Sequence, residues 1–467
     1  MTTTRTASVL RDQGGEASSG NRLGFAWTLF WVSGVRAGML VCSLLGALIV
    51  YRQLAALDPS LADAGRFAIA MAGIRFLTNS IGSAGDLSML RRVPVLHGVN
   101  PEAAAKIVRA AFVMRVAAVV ALALVATVGR SWFGAQFFGG AQHAHLVFLI
   151  VAAAAAELLL RAVLAYFQAT ERFGRFVAFE ALFQGSRLIV TLGLVAAGAL
   201  SVDAVLVAYA ALGIAAGLFG ATRLPGRLFR LALDRSAMIE VSRFYLWTLF
   251  ALLLSACNER IDLFLLGRLS GAREAGLYGG ILSLAVIPDF LVGLLATVLQ
   301  PRIIDLYQRG ELRRFWARLL LGMVPCALVG SVVTVCAGSW FVGVALGPRY
   351  AAGATAFVLV ALGSLVWLVL TPVPAAMITL SAPRLTTALT ILQLVLLAGG
   401  CLLAIPRFGL LGAAATAAGV RSVMALCIVG AGWQLMGARL GTAAAAESSI
   451  KSGASGGRPP PDRRSAQ

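Results

Sequence analysis

The sequence predicts an all-α polytopic membrane protein, with about twelve transmembrane helices in two six-helix lobes around a central cavity. Three observations predict it. Of 467 residues, 59% are hydrophobic and only 13% are charged, against about 25% charged in soluble proteins. Apolar runs recur at the length of roughly 20 residues that carries a helix across about 30 Å of hydrocarbon. Arginine-rich and arginine-poor segments alternate between those runs, as the positive-inside rule requires. An outer-membrane barrel is excluded, because its strands alternate in polarity over about ten residues.

The runs are placed at Phe25–Val50, Arg66–Leu90, Lys106–Val128, Leu146–Gln168, Phe176–Ala199, Ala204–Ala221, Val241–Leu266, Gly276–Leu299, Leu312–Val335, Ala354–Leu380, Leu385–Ile405 and Leu411–Leu435. Backbone groups in lipid must be satisfied within each segment, so these are helices. The polar N-terminus reads as a disordered cytoplasmic tail over residues 1–22, without a cleavable signal peptide. Residues 23–222 form an N-lobe and 241–440 a C-lobe. Residues 223–240, rich in Leu, Phe and Arg, form a basic amphipathic linker on the membrane surface. Residues 441–467 read as a second disordered tail. With the N-terminus cytoplasmic, the inner segments carry Arg91, Arg92, Lys106 and Arg109, then Arg223, Arg227, Arg230 and Arg235, then Arg302, Arg309, Arg313, Arg314 and Arg318. The outer loops hold far fewer, which places both termini in the cytoplasm. Most tryptophans fall near the resulting interfaces, Trp247 among them.

WTLF occurs at Trp27–Phe30 and again at Trp247–Phe250, each opening its half. Ala64-Gly65-Arg66-Phe67 and Ala275-Gly276-Leu277-Tyr278 open the second span of each half. Six spans per half make the duplication parallel, about an axis along the membrane normal.

The formal charge of +19 belongs to cytoplasmic loops rather than to nucleic-acid binding. Six cysteines, Cys42, Cys257, Cys326, Cys336, Cys401 and Cys427, lie in apolar runs without a CxxC pair. His143 and His145 have no nearby Cys or carboxylate, so neither a metal nor another cofactor is expected. There is no P-loop and no large outer loop for a catalytic domain, so the protein is not expected to be an enzyme.

Charges inside the spans are the candidates for function, because each costs at least about 2.5 kcal/mol at the bilayer centre. Arg36, Arg75, Arg115, Arg161, Arg187, Arg260 and Arg421 lie within spans, and the carboxylates at comparable depth are Glu157, Glu180, Glu259, Asp262 and Asp289. Cations exceed anions, which suggests a hydrated cavity for a phosphate or pyrophosphate; the guanidinium fork pairs with phosphate oxygens bidentately. Arg36, Arg75, Arg260 and Arg421 are the substrate-binding candidates. Glu157 and Arg161 are spaced to neutralise each other on one helix face. Glu180 and Arg187 either pair likewise or bind neighbouring helices. Asp289, beside Pro288, either binds a coupling ion or makes an interhelical hydrogen bond. Glu259 and Asp262 are further coupling candidates.

The run Arg260-Ile261-Asp262-Leu263-Phe264-Leu265-Leu266-Gly267, followed by Glu274-Ala275-Gly276-Leu277-Tyr278, resembles the polysaccharide transporter or O-antigen flippase branch of the multidrug/oligosaccharidyl-lipid/polysaccharide (MOP) exporter superfamily. So do Pro406-Arg407-Phe408-Gly409-Leu410-Leu411-Gly412-Ala413-Ala414 and Leu299-Gln300-Pro301 before a basic helix. The resemblance implies alternating access and translocation of an undecaprenyl-pyrophosphate-linked oligosaccharide across the bacterial inner membrane for lipopolysaccharide or exopolysaccharide synthesis. It implies a lipid-linked anionic glycan and membrane lipids as partners, with glycosyltransferases and a polymerase of the same pathway, and no nucleic acid. An ion-coupled multidrug exporter and a membrane polymerase or ligase are the alternatives.

Overall fold

A computed structural model describes residues 19–226, 234–287, 311–370 and 383–455, with 228, 291 and 306. The helices are α1 (Ser19–Leu57), α2 (Ala62–Leu77), α3 (Ser83–His97), α4 (Pro101–Phe137), α5 (His145–Ala169), α6 (Phe173–Ala196), α7 (Val202–Ala221), α8 (Arg235–Ser270), α9 (Ala272–Leu284), α10 (Leu312–Leu346), α11 (Ala354–Leu370) and α12 (Pro383–Ser455). Among the described residues there is no strand, and the chain is an all-α multi-pass membrane protein. Local sequence sets the ends. Asn100 accepts from Ala103 N–H ahead of Pro101 at the start of α4, and Ser201 accepts from Ala204 N–H before α7. Both satisfy helix N–H groups that have no intrahelical partner.

Nine helical segments among the described residues are long and apolar enough to cross a membrane, against twelve runs in the sequence. Three causes account for the difference. The second run is divided into α2 and α3 by a π-helical turn, Thr78–Gly82. The eighth enters α9 and then leaves the described residues. The eleventh and twelfth form one continuous element, α12, with a non-helical Gly409 at φ 53°, ψ −128°. This break is a reversal. A Cβ on Gly400 would meet the Thr416 side chain at 2.5 Å, and one on Gly412 would meet the Ala404 carbonyl oxygen at 2.5 Å. In a straight helix residues 400 and 416 would lie about 24 Å apart. The Gly409–Gly412 motif thus builds a helical hairpin: the first glycine takes a backbone conformation that favours glycine, and the second lets the limbs touch. The last limb continues past Gly441 to Ser455.

The described residues form two compact units. One is drawn from Met1–Leu284 with Ala345–Tyr350, the other from Ala285–Val344 with Ala351–Gln467. In the second unit α11 packs on the α12 hairpin, with Gly363 against Ala418. The first unit contains α1–α9, and its tightest crossing joins α2 to α9. A Cβ on Gly276 would meet the Leu61 carbonyl at 2.5 Å and Gly65 N at 2.8 Å. A Cβ on Gly65 would in turn run into the Ala272 carbonyl. The two Ala-Gly motifs of the sequence therefore face each other reciprocally: Gly65 meets the counterpart of Leu61, and Gly276 meets Leu61 itself. Reciprocal pairing of this kind is what a two-fold relation produces.

The π-helical turn leaves carbonyls that the regular ladder does not satisfy. Arg161 Nη1 donates to Thr78 O at 2.7 Å, Arg115 Nη2 to Gly82 O at 2.7 Å, and Tyr245 Oη to Ile81 O at 3.3 Å. Asp86 offsets the two cations, at 2.6 Å from Arg115 and 3.5 Å from Arg161. Arg161 thus pairs with Asp86 and not with Glu157, its expected i−4 partner. An unpaired π-turn carbonyl is a stronger competitor for the guanidinium than a same-face contact worth a few tenths of a kcal/mol.

Candidate functional site

Inside the first unit a cavity of about 70 Å³ lies among α1, α2, α6, α7, α8 and α9. Arg75 reaches it from α2, Arg187 from α6 and Arg260 from α8. Tyr51, Gln184, Tyr209 and Ser283 supply the other polar groups, and Phe67, Met71, Leu263 and Leu282 the apolar wall. No carboxylate among the described residues lines it. Among the described residues none of the three arginines has a carboxylate within ion-pair distance.

Each guanidinium is held differently. Arg187 lies over the Tyr209 ring at 4.0 Å and the Phe183 ring at 5.6 Å, which orients the fork without neutralising it. Arg260 has a buried Nε with no hydrogen-bond partner. Arg75 feels repulsion from Arg260 and Arg187, and attraction from Glu157. Three cations facing one low-dielectric space carry a positive potential that an anion would relieve. The volume holds a few waters or one phosphate group, since a water occupies about 30 Å³ in the liquid.

Of the four expected binding residues, Arg75 and Arg260 therefore meet in one cavity, together with Arg187. Arg36 does not: it is exposed on α1, 5.7 Å from the Phe176 ring. Arg421 lies in the second unit, where Nη1 donates to Ser364 Oγ. Glu180 and Arg187 turn to different helices: Glu180 lies in the field of Arg36, and Arg187 stacks on α7. Of the coupling candidates, Glu259 is exposed and accepts from Asn79 Nδ2 at 3.1 Å. Asp262 is buried; its Oδ2 accepts from Tyr278 Oη at 2.6 Å and its Oδ1 from Leu263 N at 2.8 Å. Asp289 lies outside the described residues. Arg115 and Arg161 serve the π-helical turn. Sequence reasoning missed Asp86 and Tyr209. The signal for Asp86 was its place inside the Arg66–Leu90 run; Tyr209 carried none.

The Asp262–Tyr278 bond explains the spacing of the motif around it. Gly267 lets α8 approach Ile69 of α2, where a Cβ would fall 2.7 Å from Cδ1, and Gly276 does the same for α9 at Leu61. The motif joins the end of α8 to α9 and packs both on α2.

This architecture is a fold shared with solved multi-pass transporters of the MOP superfamily. The solved structure of a multidrug resistance MATE family transporter in an inward-facing conformation superposes with a TM-score of 0.71 at 13% identity, covering 86% of this chain and 95% of that one. The lipid II flippase MurJ, in an inward closed conformation, superposes at 0.67 with 11% identity, covering 86% and 87%. A MOP superfamily transporter from Pyrococcus furiosus superposes at 0.59 with 14% identity, covering 86% and 96%. At these identities the similarity is one of fold. No curated protein matches the sequence. The family model described as polysaccharide biosynthesis protein matches residues 98–355, more than half of the chain, and the chain belongs to that family.

Proposed function

We propose that the protein is a flippase that moves an undecaprenyl-pyrophosphate-linked oligosaccharide across the bacterial inner membrane, by alternating access, for lipopolysaccharide or exopolysaccharide synthesis. The observation that carries the reading is the convergence of Arg75, Arg187 and Arg260 on a cavity without a lining carboxylate. Moving a pyrophosphate through hydrocarbon requires a substitute for its water, and unpaired guanidinium groups supply one. Membership of a polysaccharide biosynthesis family supports the class of substrate, and similarity to a lipid II flippase supports translocation of a lipid-linked one. A site for cationic drugs would be acidic, which favours this reading over the multidrug exporter. A polymerase or ligase would need a large outer loop with acid/base residues, which the sequence lacks, and this favours a carrier. The binding set we assign is Arg75, Arg187 and Arg260, in an N-lobe and C-lobe arrangement with both termini cytoplasmic. At about 70 Å³ the cavity has room for one phosphate group, so the rest of the pyrophosphate and the glycan pass when it widens.

The test is surface polysaccharide export in a deletion strain carrying Arg75→Ala, Arg187→Ala or Arg260→Ala. Each removes charge-assisted hydrogen bonds worth about 1.5–3 kcal/mol, so export should fall at least tenfold at unchanged membrane abundance, with lipid-linked repeat units accumulating. Full export by all three variants refutes the assignment.

A further inference from the structure

A second polar cleft lies at the opposite end of α8 from the family motif. It holds about 600 Å³ between the last turns of α3 and the first three turns of α8. Arg91, Arg92 and Arg243 face it, with one carboxylate, Glu240. Arg92 Nε donates to Glu240 Oε1 at 2.6 Å, and that pair is neutral. Arg91 lies over the Phe244 ring at 4.8 Å, held flat by an aromatic face and still charged. Arg243 has no carboxylate within ion-pair distance among the described residues. Two uncompensated guanidinium groups therefore share one cleft. Its lip is apolar: Trp247 is 72% exposed and Ile239 58%.

We infer that this cleft binds the phosphate headgroup of a membrane lipid. A basic cleft alone would accept any anion. An exposed indole beside it selects a ligand that brings hydrocarbon with it, since tryptophan settles at headgroup level with its ring toward the acyl region. Arginine next to that level attracts anionic lipid by about 1 kcal/mol per residue. The site is separate from the cavity of Arg75, Arg187 and Arg260, and shares no lining residue with it. It rests on the proposed topology only for its side of the membrane, the cytoplasmic one, where a lipid-linked substrate would be loaded. The same phosphate chemistry is offered by an anionic phospholipid and by the polyprenyl carrier of the substrate.

The test is lipid binding to the purified full-length protein, read by native mass spectrometry in detergent, with phosphatidylglycerol and undecaprenyl phosphate as separate probes. Arg243→Gln should bind about fivefold more weakly, and Arg91→Gln/Arg243→Gln roughly 30-fold more weakly, at 1 kcal/mol per arginine. Arg243→Lys should keep the binding. Weakening for both probes identifies a general lipid-phosphate site. Weakening for undecaprenyl phosphate alone identifies a carrier site. Either supports the inference. Equal retention by wild type and the double variant overturns it, as does loss in Arg75→Gln but not in the cleft variants. Should the double variant fail to fold, wild-type binding that does not weaken with salt overturns it equally. Lipid retention needs no flipping, so failure of the export test leaves this result readable.

Discussion

Tyr278→Phe separates a structural from a coupling role for Asp262. The hydroxyl donates to a carboxylate 2.6 Å away, in the short range of charge-assisted bonds. Tyr278 is 0% and Asp262 6% exposed, so no water replaces the lost donor. Such bonds contribute about 1.5–3 kcal/mol in soluble proteins. Inside bilayers the measured range is lower, about 0.6 on average and 1.7 at most, because the unfolded state also finds partners. The ring stays packed in phenylalanine, so the cost is that of stranding Oδ2, and about 1.5 kcal/mol is expected. Asp262→Asn keeps the bond from Leu263 N–H and can offer its amide to the tyrosine oxygen, so it should cost less than half as much. Thermal unfolding of the purified proteins in detergent reads both. Tyr278→Phe melting like wild type would refute the reasoning about the pair. Export then assigns the role. Asp262→Asn should export normally if the carboxylate only clasps α8 to α9. Lost export at unchanged melting temperature would make Asp262 a coupling residue instead.

Two further predictions follow from the same coordinates. Gly276→Ala places a Cβ against two backbone groups that cannot rotate away, so α2 and α9 must part at a cost of about 1–3 kcal/mol; Gly193→Ala, with nothing within 4 Å, should be neutral or slightly stabilising, and paired melting curves compare them. At the start of α8, hydrogen bonds from the Ser236 hydroxyl and from the N–H groups of Ala237 and Ser236 hold the Asp234 carboxyl down at about 2. A depressed carboxylate contributes its capping above the ordinary value of about 3.9 and loses it as pH falls toward about 2. The protection factors for amide exchange at Ser236 and Ala237, taken against the intrinsic rate at each pH, should therefore be high near neutrality and fall across that acid window. Asp234→Ala should remove both the protection and its pH dependence, and a wild-type first turn with equal protection factors at pH 5 and pH 2.5 would contradict the cap.

The spans were legible because length and hydropathy alone determine them; the second run is divided for a local reason, the π-helical turn, and the eleventh and twelfth are the two limbs of the α12 hairpin. The Gly409 reversal was visible as a Gly-x-x-Gly spacing, but a hairpin and a bent helix share that pattern until the Gly400–Thr416 contact is seen. The paired Ala-Gly motifs around Gly65 and Gly276 pointed to duplication. Nothing in either copy says that they press against each other, since small residues also line contacts between unrelated helices. The π-helical turn left no signal, and with it went the partners of Arg115 and Arg161.

Arginine at mid-span is the harder case. Arg115 and Arg75 are the same residue type, Arg115 buried and Arg75 partly buried, each near the middle of an apolar run, and composition treats them alike. What separates them is what meets the guanidinium. Arg115 finds Asp86 at 2.6 Å and two backbone carbonyls, so its charge is satisfied within the protein and it stabilises the break in the second span. Arg75 finds two other arginines. Like charges that face one low-dielectric space repel one another, and a fold that only needed stability would not bring three together around an open space. The repulsion is relieved by an anion, and the free energy of relief is available to bind it. The excess of cations over anions within spans implied that such a site exists. Which arginines build it is decided by tertiary partners such as Asp86, which lies on a different helix from both arginines that it holds.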